Sequence, residues 1–406
     1  MSAVVVHGIG ALCTCDPLLG EPPGVVRDAA LVARDGIIEY AGPESGLDRS
    51  DVPREALEIH ARGAAVVPGF VDAHTHIVWL GDRGDEYARR GAGATYEEIA
   101  ASGGGIRATV RATAAGTVEE LTTAARERAR RMLASGTTTI EVKSGYGLEY
   151  EAEMRQLDAA ELLRQWVDLP DVVATYLPLH ALPEGPRDAF IDEVCTRGVA
   201  GAAKRATFVD AFCDTGAYTV AECERVFTAA RAQGLRPKIH TEQLSHSGGA
   251  MLAARAGAVS ADHLEHALNT DLEALSAAGV VGVILPGASL VLGGPPPPGR
   301  RLLEAGCTVA VATDCNPGTC YSESMPLMVS LAVALGGLTP SQALVAATAG
   351  GAAALGLADR GILRPGMRAD AVILDTSSWI DIGYHLGGDI VASVMLEGRL
   401  AVPSKT

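Results

Sequence analysis

Apolar residues along this chain fall into short runs of two kinds, and the kinds are segregated. In residues 1–62 the runs at 30–33 and 36–41 are broken by Asp35-Gly36 and by the glycine-containing stretch 20–24, a pattern that predicts a meander of strands. From residue 364 onward the pattern returns at 371–375, 390–396 and 398–402. Neither end carries runs long enough for a core of its own, so the two are expected to combine into one small β-sandwich. Between them the periodicity changes. A charged, alanine-rich helix is predicted over 119–134, closed by Gly136, and a β-branched strand over 137–142. Helices are predicted at 151–164, 187–199, 219–232, 271–277 and 301–305, with strands after Pro170, Ala206 and Leu235, at 280–285 and at 307–314. Strand and helix alternate over about 300 residues, which argues for an α/β fold, a (β/α)8 TIM-type barrel spanning 63–363 with the sandwich built from 1–62 and 364–406. The runner-up, an open doubly wound sheet, commonly carries a glycine-rich phosphate loop, and no G-x-G-x-x-G occurs.

The predicted strands share one property. The first ends in Pro68-Gly69-Phe70-Val71-Asp72-Ala73-His74-Thr75-His76, and side chains two apart on a strand face the same way, so His74 and His76 can reach one cation. Later strands end in His180, His240, His263 and Asp314. Any one of these residues is as readily a satisfied core or loop group. Their common place at strand carboxyl ends, where a β/α barrel assembles its active site, favours function. A catalytic zinc-type site takes three or four such ligands and leaves room for water.

Composition narrows the partners. The 406 residues are 48% hydrophobic with a net charge of −16, which excludes a disordered chain and argues against nucleic acid or an anionic membrane as partner. The densest basic cluster, Arg126, Arg128, Arg130 and Arg131, alternates with glutamate on one helix and reads as a solvated face. The longest apolar segment, 279–294, is interrupted by Pro286 and is too short to span a bilayer; residues 1–12 lack a basic n-region or cleavage site. Eight cysteines at irregular spacing suit reduced, buried thiols in a cytoplasmic protein. Pro295 to Pro298 reads as a stiff loop over the site.

The motifs carry a resemblance. His74-Thr75-His76, His240, His263 and Asp314 resemble the amidohydrolase superfamily. Gly81-Asp82-Arg83, Ser102-Gly103-Gly104-Gly105-Ile106, Glu141-Val142-Lys143-Ser144-Gly145-Tyr146-Gly147-Leu148 and Ala312-Thr313-Asp314-Cys315-Asn316-Pro317-Gly318-Thr319 resemble, within it, the imidazolonepropionase family, and the match runs to Leu363–Asp370. The resemblance implies hydrolytic opening of 4-imidazolone-5-propanoate to N-formimino-glutamate in histidine breakdown. It implies one divalent metal ion per subunit, zinc or iron, on His74, His76, His240 and Asp314. Asp314 would also shuttle a proton, with His263 steadying the water or the oxyanion. Arg83 would anchor the propanoate, since guanidinium pairs with carboxylate bidentately. Tyr146, His180, Gln243, Asn316, Gly318 and Thr319 would line the rest of the pocket. Gln243 stands where some relatives carry Glu, and a neutral amide orients substrate without accepting a proton, which puts a base there in doubt. A homodimer is the family expectation.

Other readings compete. A deaminase of guanine or cytosine type would use the same metal set, release ammonia and have no need of Arg83. A catalytically dead scaffold would be expected to show a broken ligand set, and this one is whole. Lys143 could bridge two metals if carbamylated; its plainer reading is a structural ion pair with Glu141. His246 and His266 read as helix or loop residues, and His7, His60 and His385 belong to the sandwich.

Overall fold

The computed structural model describes residues 3–94, 98 and 103–402; Ser102 of the glycine-rich motif lies outside them. The amino-terminal segment forms β1 (Ala3–Cys13), β2 (Val25–Arg34), β3 (Ile37–Pro43), β4 (Leu57–His60) and β5 (Ala65–Pro68). The central strands are β6 (Phe70–Asp72), β7 (Thr137–Lys143), β8 (Asp171–Leu179), β9 (Phe208–Cys213), β10 (Arg236–Pro237), β11 (Ile239–Thr241), β12 (Ser260–His263), β13 (Val281–Ile284) and β14 (Val309–Val311). They pair in parallel in the order β14-β13-β12-β11-β9-β8-β7-β6, with β10 beside β9. The ring closes just past the ends of β6 and β14. There the Asp314 N–H donates to the His74 carbonyl at 3.0 Å and the His76 N–H to the Cys315 carbonyl at 3.0 Å. Those closing bonds put His74, His76 and Asp314 on adjoining strand extensions, at the carboxyl rim of a TIM-type barrel.

The last strands, β15 (Ala371–Leu374), β16 (Val391–Leu396) and β17 (Arg399–Val402), return to the first ones. The eight strands of the two ends form one sheet that branches at β1, whose first half pairs with β4 and whose second half pairs with β5. β5 lies past residue 62 yet pairs here, antiparallel to β15. Asp35 and Gly36, both at positive φ, make the two-residue hairpin turn between β2 and β3 that their sequence favours. The sheet has its own core of Val4, Val6, Ile9, Leu12, Leu31 and Met395. Along β15 every residue is buried and the two cores alternate: Ala371 and Ile373 join that core, while Val372 and Leu374 face the barrel core. The period of two in strand geometry thus glues the terminal sheet to the barrel.

The helices match their sequence pattern closely. Val118–Ala134 and Val220–Ala232 each open on a threonine capping box, Thr117 with Glu120 and Thr219 with Glu222. The helix expected at 187–199 runs as Arg187–Glu193, a π turn at Val194–Gly198, and Val199–Ala202. The apolar segment 279–294 is β13 followed by a helix at Pro286–Leu292. One expectation fails. Arg128 is not part of a solvated face: it is 8% exposed, stacks on Trp79 at 3.3 Å and donates to the carbonyls of Ile77 and Trp79 at 2.8 and 3.0 Å. Residues 77–79 leave the barrel after His76 with carbonyls that no strand satisfies, and a planar guanidinium can bond both while covering an aromatic face.

Candidate metal and substrate site

Three strand ends converge. His74 Nε2 lies 3.3 Å from His76 Nε2, which lies 3.4 Å from His240 Nε2 and 3.5 Å from Asp314 Oδ1; His74 Nε2 to Asp314 Oδ1 is 3.7 Å. All four residues are at most 4% exposed. Behind them, Asp262 Oδ2 accepts from His74 Nδ1 at 2.6 Å, and Asp210 Oδ1 accepts from His240 Nδ1 at 3.1 Å. A carboxylate that accepts at Nδ1 fixes the proton there, so the Nε2 atoms of His74 and His240 present lone pairs. Burial, with positive neighbours adding, holds the pKa of His74 and His76 well below the ordinary histidine value, and the rings are neutral. Lone pairs and a carboxylate oxygen crowded within hydrogen-bond range of one another repel unless a cation sits among them. The donor set, mixed imidazole and carboxylate, therefore fits a metal ion.

The supporting layer is ionic and dry. Lys143 Nζ sits 2.7 Å from Asp210 Oδ2, 2.9 Å from Glu141 Oε2 and 3.7 Å from Asp262 Oδ2. Lys238 Nζ donates to Glu141 Oε2 at 2.8 Å and to the Ala73 carbonyl at 3.0 Å, and Thr175 Oγ1 donates to Glu141 Oε1 at 2.5 Å. Both lysines and all three carboxylates are fully buried. Such groups cost several kcal/mol each to desolvate, about what close pairing returns, so the network serves geometry more than stability. Lys143 is pulled three ways by carboxylates that raise its pKa against the opposing effect of burial; it is an ammonium, in an ion pair with Glu141 as its plainer reading had it.

Of the residues expected to hold substrate, Tyr146, His180 and Thr319 adjoin the cluster. Arg83 Nε pairs with Glu86 Oε2 at 2.9 Å, and Glu86 Oε1 accepts from the Gly105 N–H at 2.9 Å, tying the arginine to the glycine-rich segment. With Nε used, the guanidinium keeps its Nη1/Nη2 edge for an anion. Gly318 is what lets it lie there: a Cβ on that residue would stand 2.5 Å from Arg83 Nη1. His180 stacks on His76 with ring centroids 4.9 Å apart and donates from Nδ1 to the Gly145 carbonyl at 3.0 Å, leaving Nε2 bare. Tyr146, buried, packs 5.2 Å from His180 and 6.1 Å from His76. Gln243 is half-buried, its backbone N–H held by Asp214 Oδ2 at 2.8 Å. Asn316 is differently employed. Its amide donates to the Asp314 carbonyl at 2.6 Å and to Thr319 Oγ1 at 2.8 Å, and its oxygen accepts from the N–H groups of Gly318 and Thr319, both at 2.8 Å. That uses its hydrogen-bonding capacity inside its own loop. Thr319 Oγ1 in turn lies 3.3 Å from Asp314 Oδ2, so the loop steadies the carboxylate.

Asp314 is pushed up in pKa, by burial first, with His263 opposing. His263, 2% exposed, packs against His74 and His240 at centroid distances of 5.7 and 5.5 Å. His263 and Asp314 both adopt positive φ, 80° and 52°, a backbone strain that clusters at working sites. His246 pairs with Asp271 at 3.0 Å on the exposed side of its loop, and no cysteine is in a disulfide among the described residues.

Sequence reading overlooked Asp210, Asp262, Lys238, Glu86 and Glu265. A signal existed for Lys238: it stands two residues before His240, on the same strand face, as Asp72 stands before His74 and Glu141 before Lys143. A charge at that spacing inside an apolar strand must find a buried partner.

A profile of the amidohydrolase family matches residues 65–401. The chain belongs to the amidohydrolase family. Within that family it is 46% identical to an imidazolonepropionase from Deinococcus deserti, over 98% of this chain and 99% of that one. It is 44% identical to another from Symbiobacterium thermophilum, over 98% and 97%. Among solved structures, a 5-methylcytosine deaminase from Klebsiella pneumoniae superposes with a TM-score of 0.77 at 17% identity, covering 99% of each chain. A zinc-bound adenosine deaminase from Xanthomonas campestris gives 0.75 at 19%, over 100% of this chain and 94% of that one. At such identities the two deaminases show the shared fold alone.

Proposed function

We propose that this amidohydrolase hydrolyses the cyclic amide of 4-imidazolone-5-propanoate to N-formimino-L-glutamate, a step of histidine breakdown. The observation that supports the reading most is the joint presence of the His74, His76, His240 and Asp314 cluster and of Arg83 beside Gly318, in a chain 46% identical along its length to an imidazolonepropionase. Those four residues would hold the metal, one divalent ion per subunit, zinc or iron. When bound, it lowers the pKa of a water and polarises the ring carbonyl. The side chains supply the rest. Arg83 takes the propanoate carboxylate on its Nη1/Nη2 edge. Tyr146, His180, Gln243, Gly318 and Thr319 bound the flat ring, and Asn316 acts on substrate through the loop it braces. Asp314, whose burial raises its basicity, takes the proton of the attacking water and returns it to the ring nitrogen as the carbon–nitrogen bond opens. His263 stabilises the oxyanion that forms between those two events.

No described helix is long and apolar enough to cross a membrane. We read the protein as a cytoplasmic homodimer acting on a small molecule, with the expected barrel region 63–363, less β5, as its catalytic domain, and 1–62 with β5 and 364–406 as its companion. The deciding experiment is mass spectrometry of the product from synthetic imidazolone propanoate. Gain of one water without ammonia is the expected result; ammonia release would move the assignment to a deaminase.

A further inference from the structure

Two buried polar atoms beside the cluster lie near each other without a hydrogen bond. His263 Nδ1 and Glu265 Oε2 are 3.9 Å apart, and neither has a hydrogen-bond partner among the described residues. The side chains are 2% and 3% exposed. The other Glu265 oxygen accepts from Ser289 Oγ at 2.6 Å, which anchors the carboxyl to the helix Pro286–Leu292 and leaves Oε2 to spare. The backbone arranges the meeting: His263 and Leu264 are both at positive φ, 80° and 72°, a turn that folds residue 265 back beside residue 263. A ring nitrogen of His263 lies within 4.8 Å of ring nitrogens of His74 and His240, so what happens at Nδ1 is felt on the site side of the ring.

A neutral imidazole has one proton to place. With that proton on Nδ1, a lone pair on Nε2 would face a developing oxyanion and repel it. With Nδ1 bare, Nε2–H donates. We propose that Glu265 is a positioning residue: as a carboxylic acid it donates Oε2–H to His263 Nδ1, and thereby holds the ring with Nε2–H toward the reacting carbonyl oxygen. The 3.9 Å between the two atoms is longer than a hydrogen bond, so the bond requires the two side chains to approach. Glu265 Oε2 is buried with neither a hydrogen-bond donor nor a cation on it among the described residues, a setting that favours the uncharged acid, and burial raises the pKa of the carboxyl.

The inference rests on the hydrolase reading, and wild-type turnover of imidazolone propanoate separates the two: a silent wild type defeats that reading. Given an active wild type, Glu265→Gln keeps a permanent N–H donor to Nδ1 and an oxygen for Ser289. Its kcat should stay within about threefold and should lose the decline of the wild type above pH 7. Glu265→Leu should lower kcat about 10- to 100-fold with KM unchanged. Imidazole 15N shifts of His263 in the zinc-loaded protein should report Nε2 protonated in the wild type at pH 6 and in the Gln variant. Wild-type kcat in the Leu variant, equal losses in Leu and Gln, or a His263 protonated at Nδ1 would each overturn it. Should the Leu variant fail to fold, a Gln variant that keeps the wild-type decline above pH 7 overturns it as well.

Discussion

This chain holds two histidine clusters of similar closeness and opposite character. In the terminal sheet the rings of His7 and His60 have centroids 4.7 Å apart; in the barrel those of His74 and His76 are 5.2 Å apart. Proximity does not separate them. The carboxylates do: His7 has Glu44 at 3.9 Å and Glu58 at 3.7 Å, on half-open side chains, whereas His74 gives Nδ1 to a fully buried Asp262 at 2.6 Å. A loose, hydrated contact leaves a ring free to take either tautomer. A short, dry one fixes which nitrogen is bare and where it points, and only the barrel cluster adds converging Nε2 atoms and Asp314. A metal site is thus made less by the number of histidines than by what stands behind them.

The comparison predicts its own sharpest test. His240→Ala removes one of three converging imidazoles and should abolish retained metal, while His60→Ala should keep about one ion per subunit, as read by elemental analysis after dialysis. Equal metal content in the two variants would break the distinction. Next in size is Asp314→Asn, which keeps an oxygen donor but cannot carry a proton. Turnover should fall by about 10²-fold or more in protein that still holds metal; wild-type turnover there would exclude the shuttle.

The layer behind the ligands predicts an effect on folding rather than on chemistry. Lys143→Met leaves Glu141, Asp210 and Asp262 with Lys238 as the remaining lysine in their network, fully buried. Removing one partner of such a network costs about 3–5 kcal/mol, and chemical denaturation of the metal-free protein should show it. A neutral outcome would mean that water reaches these groups.

How far the sequence alone reached follows from the same physics. The barrel, the terminal sheet and the rim positions of His74, His76, His240, His263 and Asp314 were legible because each rests on local signals: strand and helix periods, glycine stops, the last residue of an apolar run. Asp262 and Asp210 were not. Asp262 meets His74 across 188 positions of sequence, and Asp210 meets His240 across thirty, so only the closed ring brings them together. Arg128 was misread for a related reason. Its helical neighbours are solvated, and its partners, the carbonyls of residues 77 and 79, become visible once the chain has left the barrel.

The smallest predicted effect lies in the terminal sheet and tests the other side of the comparison. Glu44 Oε2 accepts from the Gly8 N–H at 2.9 Å, and this bond, with Arg49 and His7 assisting and slight burial opposing, holds the Glu44 pKa below its ordinary value of 4.5. A carboxyl lowered in the folded state binds fewer protons there than in the unfolded chain. Its contribution is therefore complete above pH 4.5 and is lost as pH falls through the lower folded value. Glu44→Gln keeps an oxygen for Gly8 and removes the titration. The melting temperatures of variant and wild type should differ by a constant amount above about pH 5, worth under about 1 kcal/mol for so exposed a group, and converge below it. If the gap persists unchanged well into acid, the glutamate does not titrate with folding. The terminal cluster would then be a fixed structural site, closer in kind to the barrel's than its open carboxylates imply.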